Sequence, residues 1–169
     1  MENIQKNYEF ILSKINEIHK ASIFSKHKLP KLVAVSKKQE DYKIENALAC
    51  GQKIFGENRV QEAINRWQKR IENNVDLELR LIGPLQTNKV KQSLNLFDVI
   101  ETIDREKIAV EIAKNLHLKT KTKSFYIQVN TGNEPQKSGI NPLEADTFIK
   151  YCINDLKLPI VGLMCIPPI

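Results

Sequence analysis

Apolar residues at Ile4, Tyr8, Ile11, Ile15 and Ile18 recur at helical spacing, so the chain opens with an amphipathic helix. The pattern fades through the polar stretch SKHK to Pro30. Residues 31–36 then form a short β-branched run without polar alternation, as expected of a strand buried on both faces. Helical spacing resumes at Tyr42, Ile44 and Leu48 and stops at Gly51, a residue suited to the position after a helix. A strand over 53–56 and a helix over 60–71, which carries the single tryptophan Trp67, come next. A third strand over 79–82 runs into Gly83-Pro84, and a helix through Val90 and Leu94 leads to a fourth strand over 97–100. Asp104 is placed to cap an amphipathic helix bearing Ile108, Ala109, Ile112, Ala113 and Leu116. A fifth strand over 125–129, a helix started by Pro142 and running to about residue 156, and a sixth strand over 160–164 complete the pattern.

Strands alternating with helices at this pitch predict an α/β protein of parallel strands joined by right-handed crossovers. Two architectures compete: an open doubly wound sheet and a (β/α)₈ barrel of the TIM type. A nucleotide-binding open sheet carries a glycine-rich first turn, and neither a GxGxxG pattern nor a P-loop follows the first strand. Six consecutive apolar strands with short connections favour the barrel, of which this sequence supplies about six of eight strands.

Composition narrows the class without choosing a function. The 169 residues are 41% hydrophobic and 27% charged, with 6 Gly and 7 Pro, which excludes collagen-like, mucin-like and wholly disordered chains. That length suits one domain, 1–169, without a linker, able to bury roughly 70% of its extended surface. No apolar stretch approaches the ~20 residues of a bilayer span, and the N-terminal MENIQKNYEF has no secretory pattern. The expectation is a cytoplasmic protein without a membrane partner. The net charge of +6 is spread along the chain and aromatics are 7%, whereas a nucleic-acid surface wants clustered Lys/Arg with stacking rings. No nucleic-acid partner is therefore expected. Cys50, Cys152 and Cys165 are odd in number and far apart, as reduced thiols are, and the three histidines share no metal-ligand spacing with them.

In barrels of parallel strands, function sits at the carboxyl ends of the strands. Those positions hold Ser36-Lys37-Lys38, Glu57-Asn58-Arg59, Gly83 to Gln86, Glu101-Thr102, Asn130-Thr131-Gly132 and Met164-Cys165-Ile166. Lys37, at the end of an apolar strand, is either the first solvated residue after it or a desolvated amine. Desolvation lowers a lysine's pKa, and a neutral amine attacks an aldehyde to form a Schiff base. Lys38 is expected to point elsewhere. Glu57 and Asn58 lie within reach of the same mouth; Asn58 offers both a donor and an acceptor, or simply starts the next helix. Gln86, Thr87 and Asn88 open a helix whose N–H groups either hold an anion or are capped. Lys137 sits in a glycine-bearing loop expected to be mobile. Met164 and Ile166 either pack the barrel or wall a flat aromatic ligand.

The segments LVAVSKK (32–38), FGENRVQEA (55–63), LIGPLQTNKVK (81–91), IQVNTGNEPQKSGI (127–140) and GLMCIPP (162–168) occur in the order found in the pyridoxal 5′-phosphate homeostasis proteins. The chain resembles that family, which has the barrel of alanine racemase. The resemblance implies a pyridoxal 5′-phosphate (PLP) barrel with the cofactor carried as a Schiff base on Lys37 and Asn58 beside it, and Met164 is expected from its strand-end position to contact the cofactor as well. It implies a role in intracellular PLP (vitamin B6) homeostasis with little or no turnover, PLP-dependent apoenzymes being the protein partners that role suggests. In the family, GLM-x-x-P is followed by two more strands that supply the phosphate cup and an arginine facing the ring nitrogen. This sequence stops at Ile169, so the resemblance implies a C-terminally incomplete barrel.

Three rivals remain open at this level. A PLP-dependent amino-acid racemase or lyase needs a second base, for which Cys165 is the one candidate at the strand ends. A cofactor-free Schiff-base aldolase would use Lys37 alone. A basic RNA-contacting domain would bind in a salt-dependent manner.

Overall fold

The computed structural model describes residues 2–73, 76–117 and 119–168. Six strands lie in one sheet: β1 (Ala34–Val35), β2 (Ile54–Glu57), β3 (Glu78–Leu81), β4 (Val99–Ile103), β5 (Ser124–Gln128) and β6 (Ile160–Met164). They are all parallel and follow one another in sequence order. A doubly wound sheet reverses its strand order at a switch point; this sheet does not. The helices are α1 (Glu2–Ala21), α2 (Asp41–Ala49), α3 (Val60–Asn73), α4 (Val90–Leu96), α5 (Glu106–Asn115) and α6 (Ala145–Lys150). A 3₁₀ turn, Thr87–Lys89, leads into α4, and a π-helical turn, Tyr151–Asp155, extends α6. The arrangement is that of a partial TIM-type barrel.

Side chains alternate along the strands, and one set is dry. Phe55, Leu79, Leu81, Ile100, Phe125 and Ile127 are buried against helical residues Ala63, Trp67, Val90, Leu94, Ile108 and Ile112. Trp67 of α3 packs on Phe55, with ring centroids 4.6 Å apart. Fully burying side chains of this size stabilises by about 1.5–3 kcal/mol each, so this sheet–helix layer is the core. The opposite set includes Glu78, Arg80, Tyr126, Gln128 and Met164, which are less buried or polar. Cys152 lies in the core beneath α6, and burial pushes its thiol up to about 11, so at neutral pH it packs as a small uncharged group.

Several expected boundaries move. β1 is only two residues long and Val35 is exposed, because β1 lies at the end of the strand order and has one strand neighbour. Phe97 closes α4, its N–H bonding the Ser93 carbonyl, so β4 begins at Val99 rather than at 97. Arg105, not Asp104, occupies the cap of α5, while Asp104 pairs with the Arg105 guanidinium. Pro142 precedes a turn, and α6 starts at Ala145. On β6, Val161 and Leu163 are exposed, as are Ile11 and Ile18 of the expected α1 stripe. Among the described residues no helix is long and apolar enough to cross a membrane, and no group of His, Cys, Asp and Glu could hold a metal ion.

Candidate functional site

The carboxyl ends of the strands surround a cavity of about 460 Å³. Its wall includes Lys37, Asn58, Glu101, Asn130 and Met164, together with Gln128, so residues far apart in sequence meet here. Strand alternation explains the set. Val33, Val35 and Lys37 share one parity at β1, and all three line the cavity. Lys38 has the other parity, adopts φ 57° and is absent from the wall. Gln128 and Met164 are register partners on β5 and β6 and therefore face the same way.

Lys37 is exposed and makes no hydrogen bond or ion pair with the described residues. The desolvation suggested by the apolar run before it is therefore not supplied by its protein surroundings. Asn58 is half-buried, and its amide has no partner among the described residues. Helix capping thus does not account for it, and the residue lines the cavity with its amide unengaged among the described residues. Cys165 and Ile166 line the same wall. Lys137 also reaches it, but Glu134 pairs with its ammonium at 2.6 Å, and the Nζ donates to the Pro167 carbonyl at 3.4 Å. The loop expected to be mobile is tied to the segment after β6.

Four residues expected near the mouth lie elsewhere. Glu57 points away from the mouth, fully buried between the sheet and α3. Its parity is that of Phe55, which faces the helices. Gln86, Thr87 and Asn88 do not line the cavity. Conversely, Arg80 escapes sequence reasoning because it lies inside a strand, not at its end. From β3 it donates through Nη1 to Glu101 Oε1 at 2.8 Å and through Nε to Glu78 Oε1 at 2.6 Å. Burial opposes its charge, but the hydrogen bonds and negative charges of Glu101 and Glu78 outweigh it and hold its pKa above the ordinary value. Glu101 is thereby fixed in the cavity wall.

Gly83 locks Asn58 in place. A Cβ added there would lie 2.2 Å from the Asn58 carbonyl oxygen and 2.6 Å from its Cα, both backbone atoms. The Thr102 hydroxyl donates to the Gly83 carbonyl at 2.7 Å and holds this crossing from β4. Gly83→Ala must displace the Asn58 backbone, and overpacking of this kind costs about 1–3 kcal/mol. The expected outcome is a melting temperature lower by about 2–12 °C, with shifted Asn58 side-chain amide resonances in NMR.

Residues 5–168 match the family model described as alanine racemase, N-terminal domain. The pyridoxal phosphate homeostasis protein of Haemophilus influenzae is 38% identical over 165 residues, covering 98% of this chain and 69% of that protein. The protein of the same name from Vibrio cholerae is 36% identical, covering 99% and 71%. Among solved structures, PipY of Synechococcus elongatus with PLP bound superposes with a TM-score of 0.72 at 31% identity, covering 92% of this chain and 71% of that one. A protein from Bifidobacterium adolescentis, at 24% identity and a TM-score of 0.81, shares the fold.

Proposed function

Because the chain belongs to the alanine racemase N-terminal domain family, alongside the pyridoxal phosphate homeostasis proteins, we propose that it binds PLP in the cavity at the strand ends and serves PLP homeostasis. The observation that carries this reading is the meeting of Lys37, Asn58 and Met164 in one wall. The residues present fit the group. The cavity lies within the roughly 300–1,000 Å³ of small-ligand sites, and it combines an unengaged amine, an unengaged amide and an apolar side. When bound, PLP supplies an aldehyde that condenses with a primary amine and a ring that withdraws electrons from it.

Lys37 would hold the cofactor as a Schiff base, being the cavity-wall amine without an ion pair among the described residues. Asn58 gives directional contacts through its unpartnered amide. Met164 offers a polarizable apolar surface to a flat ring. Gln128 donates its amide to the Ser138 carbonyl at 3.2 Å and presents its oxygen as an acceptor. Arg80 holds Glu101 in place through their 2.8 Å ion pair. The chain acts as a carrier with little turnover, and PLP-dependent apoenzymes are its recipients.

The test is borohydride reduction of the PLP-treated protein followed by peptide mapping. The pyridoxyl group is expected on Lys37. Its appearance mainly on Lys38 or Lys137 would overturn the assignment.

A further inference from the structure

Residues 36–39 form a β-turn in which the Gln39 N–H donates to the Ser36 carbonyl at 3.2 Å and Lys38 sits at φ 57°. Lys37 is the second residue of this turn, so the turn sets the direction in which its side chain leaves the backbone. A non-glycine residue in the left-handed region is strained, and within the turn the closing hydrogen bond is long. Something else must hold it.

The restraint comes from α3. Arg66 lays its guanidinium across the turn: Nη1 donates to the Ser36 carbonyl at 3.1 Å and Nη2 to the Gln39 carbonyl at 3.2 Å. One side chain thus bridges both ends of the segment that carries Lys37. Arg66 is itself anchored, since Nη1 also donates to Glu57 Oε1 at 2.9 Å. That carboxylate is fully buried and accepts the Ser36 hydroxyl at 2.7 Å and the Trp67 indole N–H at 3.0 Å. The side chain of Arg66 is 17% exposed and its Glu57 partner is fully buried, so solvent screens that ion pair only weakly.

We propose that Arg66, with Glu57 as its anchor, is a positioning residue for Lys37, holding the turn so that the amine is presented to the cavity. A guanidinium suits this task because its rigid fork spans several acceptors at once, which an ammonium on a flexible stem does not. The proposal rests on the reading of Lys37 as the PLP-bearing residue, but the turn can be measured without the cofactor.

Three readouts on the full chain separate positioning from bulk stability: the melting temperature, hydrogen exchange of the Gln39 amide, and the Lys37:Lys38 ratio of reductive labelling. Labelling is done with PLP and, separately, with formaldehyde and cyanoborohydride, which need no cofactor site. Arg66→Met keeps the stem but loses every bridge. It is expected to speed Gln39 exchange and to lower the PLP labelling ratio by about tenfold, as loss of one or more charge-assisted hydrogen bonds predicts. Because it also strips Glu57 of its counter-charge, the same measurements are made on Arg66→Lys. That variant is expected to melt close to the parent yet still exchange and mislabel several-fold more. Variants that lower the melting temperature while leaving both exchange and labelling ratios at parental values would overturn the proposal. Failure of the parent to label at Lys37 with PLP overturns the PLP reading instead; the exchange and formaldehyde ratios then decide the positioning role alone.

Discussion

Lys37→Ala is expected to abolish retention of PLP through gel filtration and to leave no borohydride-stable label, while the melting temperature stays within about 1–2 °C of the parent. The two halves of that expectation have separate causes. Lys37 is exposed and makes no hydrogen bond or ion pair with the described residues, and surface substitutions of this kind change stability by about ±0.5 kcal/mol. Binding is expected to depend on it because neither neighbouring amine is placed to substitute for it. Lys38 lies on the opposite parity, held in the left-handed region, and Lys137 is engaged by Glu134 and the Pro167 carbonyl. A visible absorbance band retained by the variant, or a label transferred in full to Lys137, would show that the cavity holds the aldehyde by another amine. A large drop in melting temperature would instead give Lys37 a structural role that its surroundings do not indicate.

What the sequence made legible was whatever depends on local pattern. All six strands and their order were readable because short apolar runs separated by amphipathic helices allow few topologies. Strand ends were readable too, and with them Lys37, Asn58 and Met164, which the structure gathers in one cavity wall. Boundaries failed where an apolar residue served a neighbouring element. Phe97 is fully buried, yet it closes α4, and no periodicity distinguishes that from a first strand residue. Pro142 suits a first helical turn, but the backbone there makes turn hydrogen bonds before α6 begins.

The failures at the site have a different origin. Glu57 follows Phe55 by two residues, so strand parity alone assigns it to the helix-facing side. A carboxylate there is intelligible only with its partners, Arg66 and Trp67, nine and ten residues along on α3. Arg80 is similar: its partner Glu101 lies on the next strand, 21 residues away. Such pairings are tertiary facts, set by register and helix rotation, and they carry no signature in a window of sequence. The choice left open at Lys37, solvated residue or desolvated amine, was undecidable for the same reason, since the exposure seen there depends on what the rest of the sheet places around the strand end.

Glu57→Ala, beneath the turn that carries Lys37, is expected to be the most destabilising of these single substitutions. Three donors converge on Glu57 Oε1, from Ser36, Arg66 and Trp67, while Oε2 is buried without a partner among the described residues. Removing the carboxylate leaves a largely buried guanidinium without its counter-charge and two further buried donors unsatisfied. Breaking a buried ion pair by deleting one partner costs about 3–5 kcal/mol, which for a chain of this length lowers the melting temperature by about 6–20 °C. Glu57→Gln keeps an acceptor at Oε1 and loses only the charge, so its loss is expected to be smaller. The unpartnered Oε2 means that the carboxylate is itself incompletely satisfied, and this gives the double variant Glu57→Leu/Arg66→Met a distinctive expectation. With neither charge present, its destabilisation should fall short of the sum of the two single variants by more than the roughly 0.5 kcal/mol expected of independent sites. Chemical denaturation of the four proteins measures the coupling directly. Strict additivity would mean that Glu57 and Arg66 act separately, and that the link from the buried carboxylate through Arg66 to the Lys37 turn is not energetically continuous.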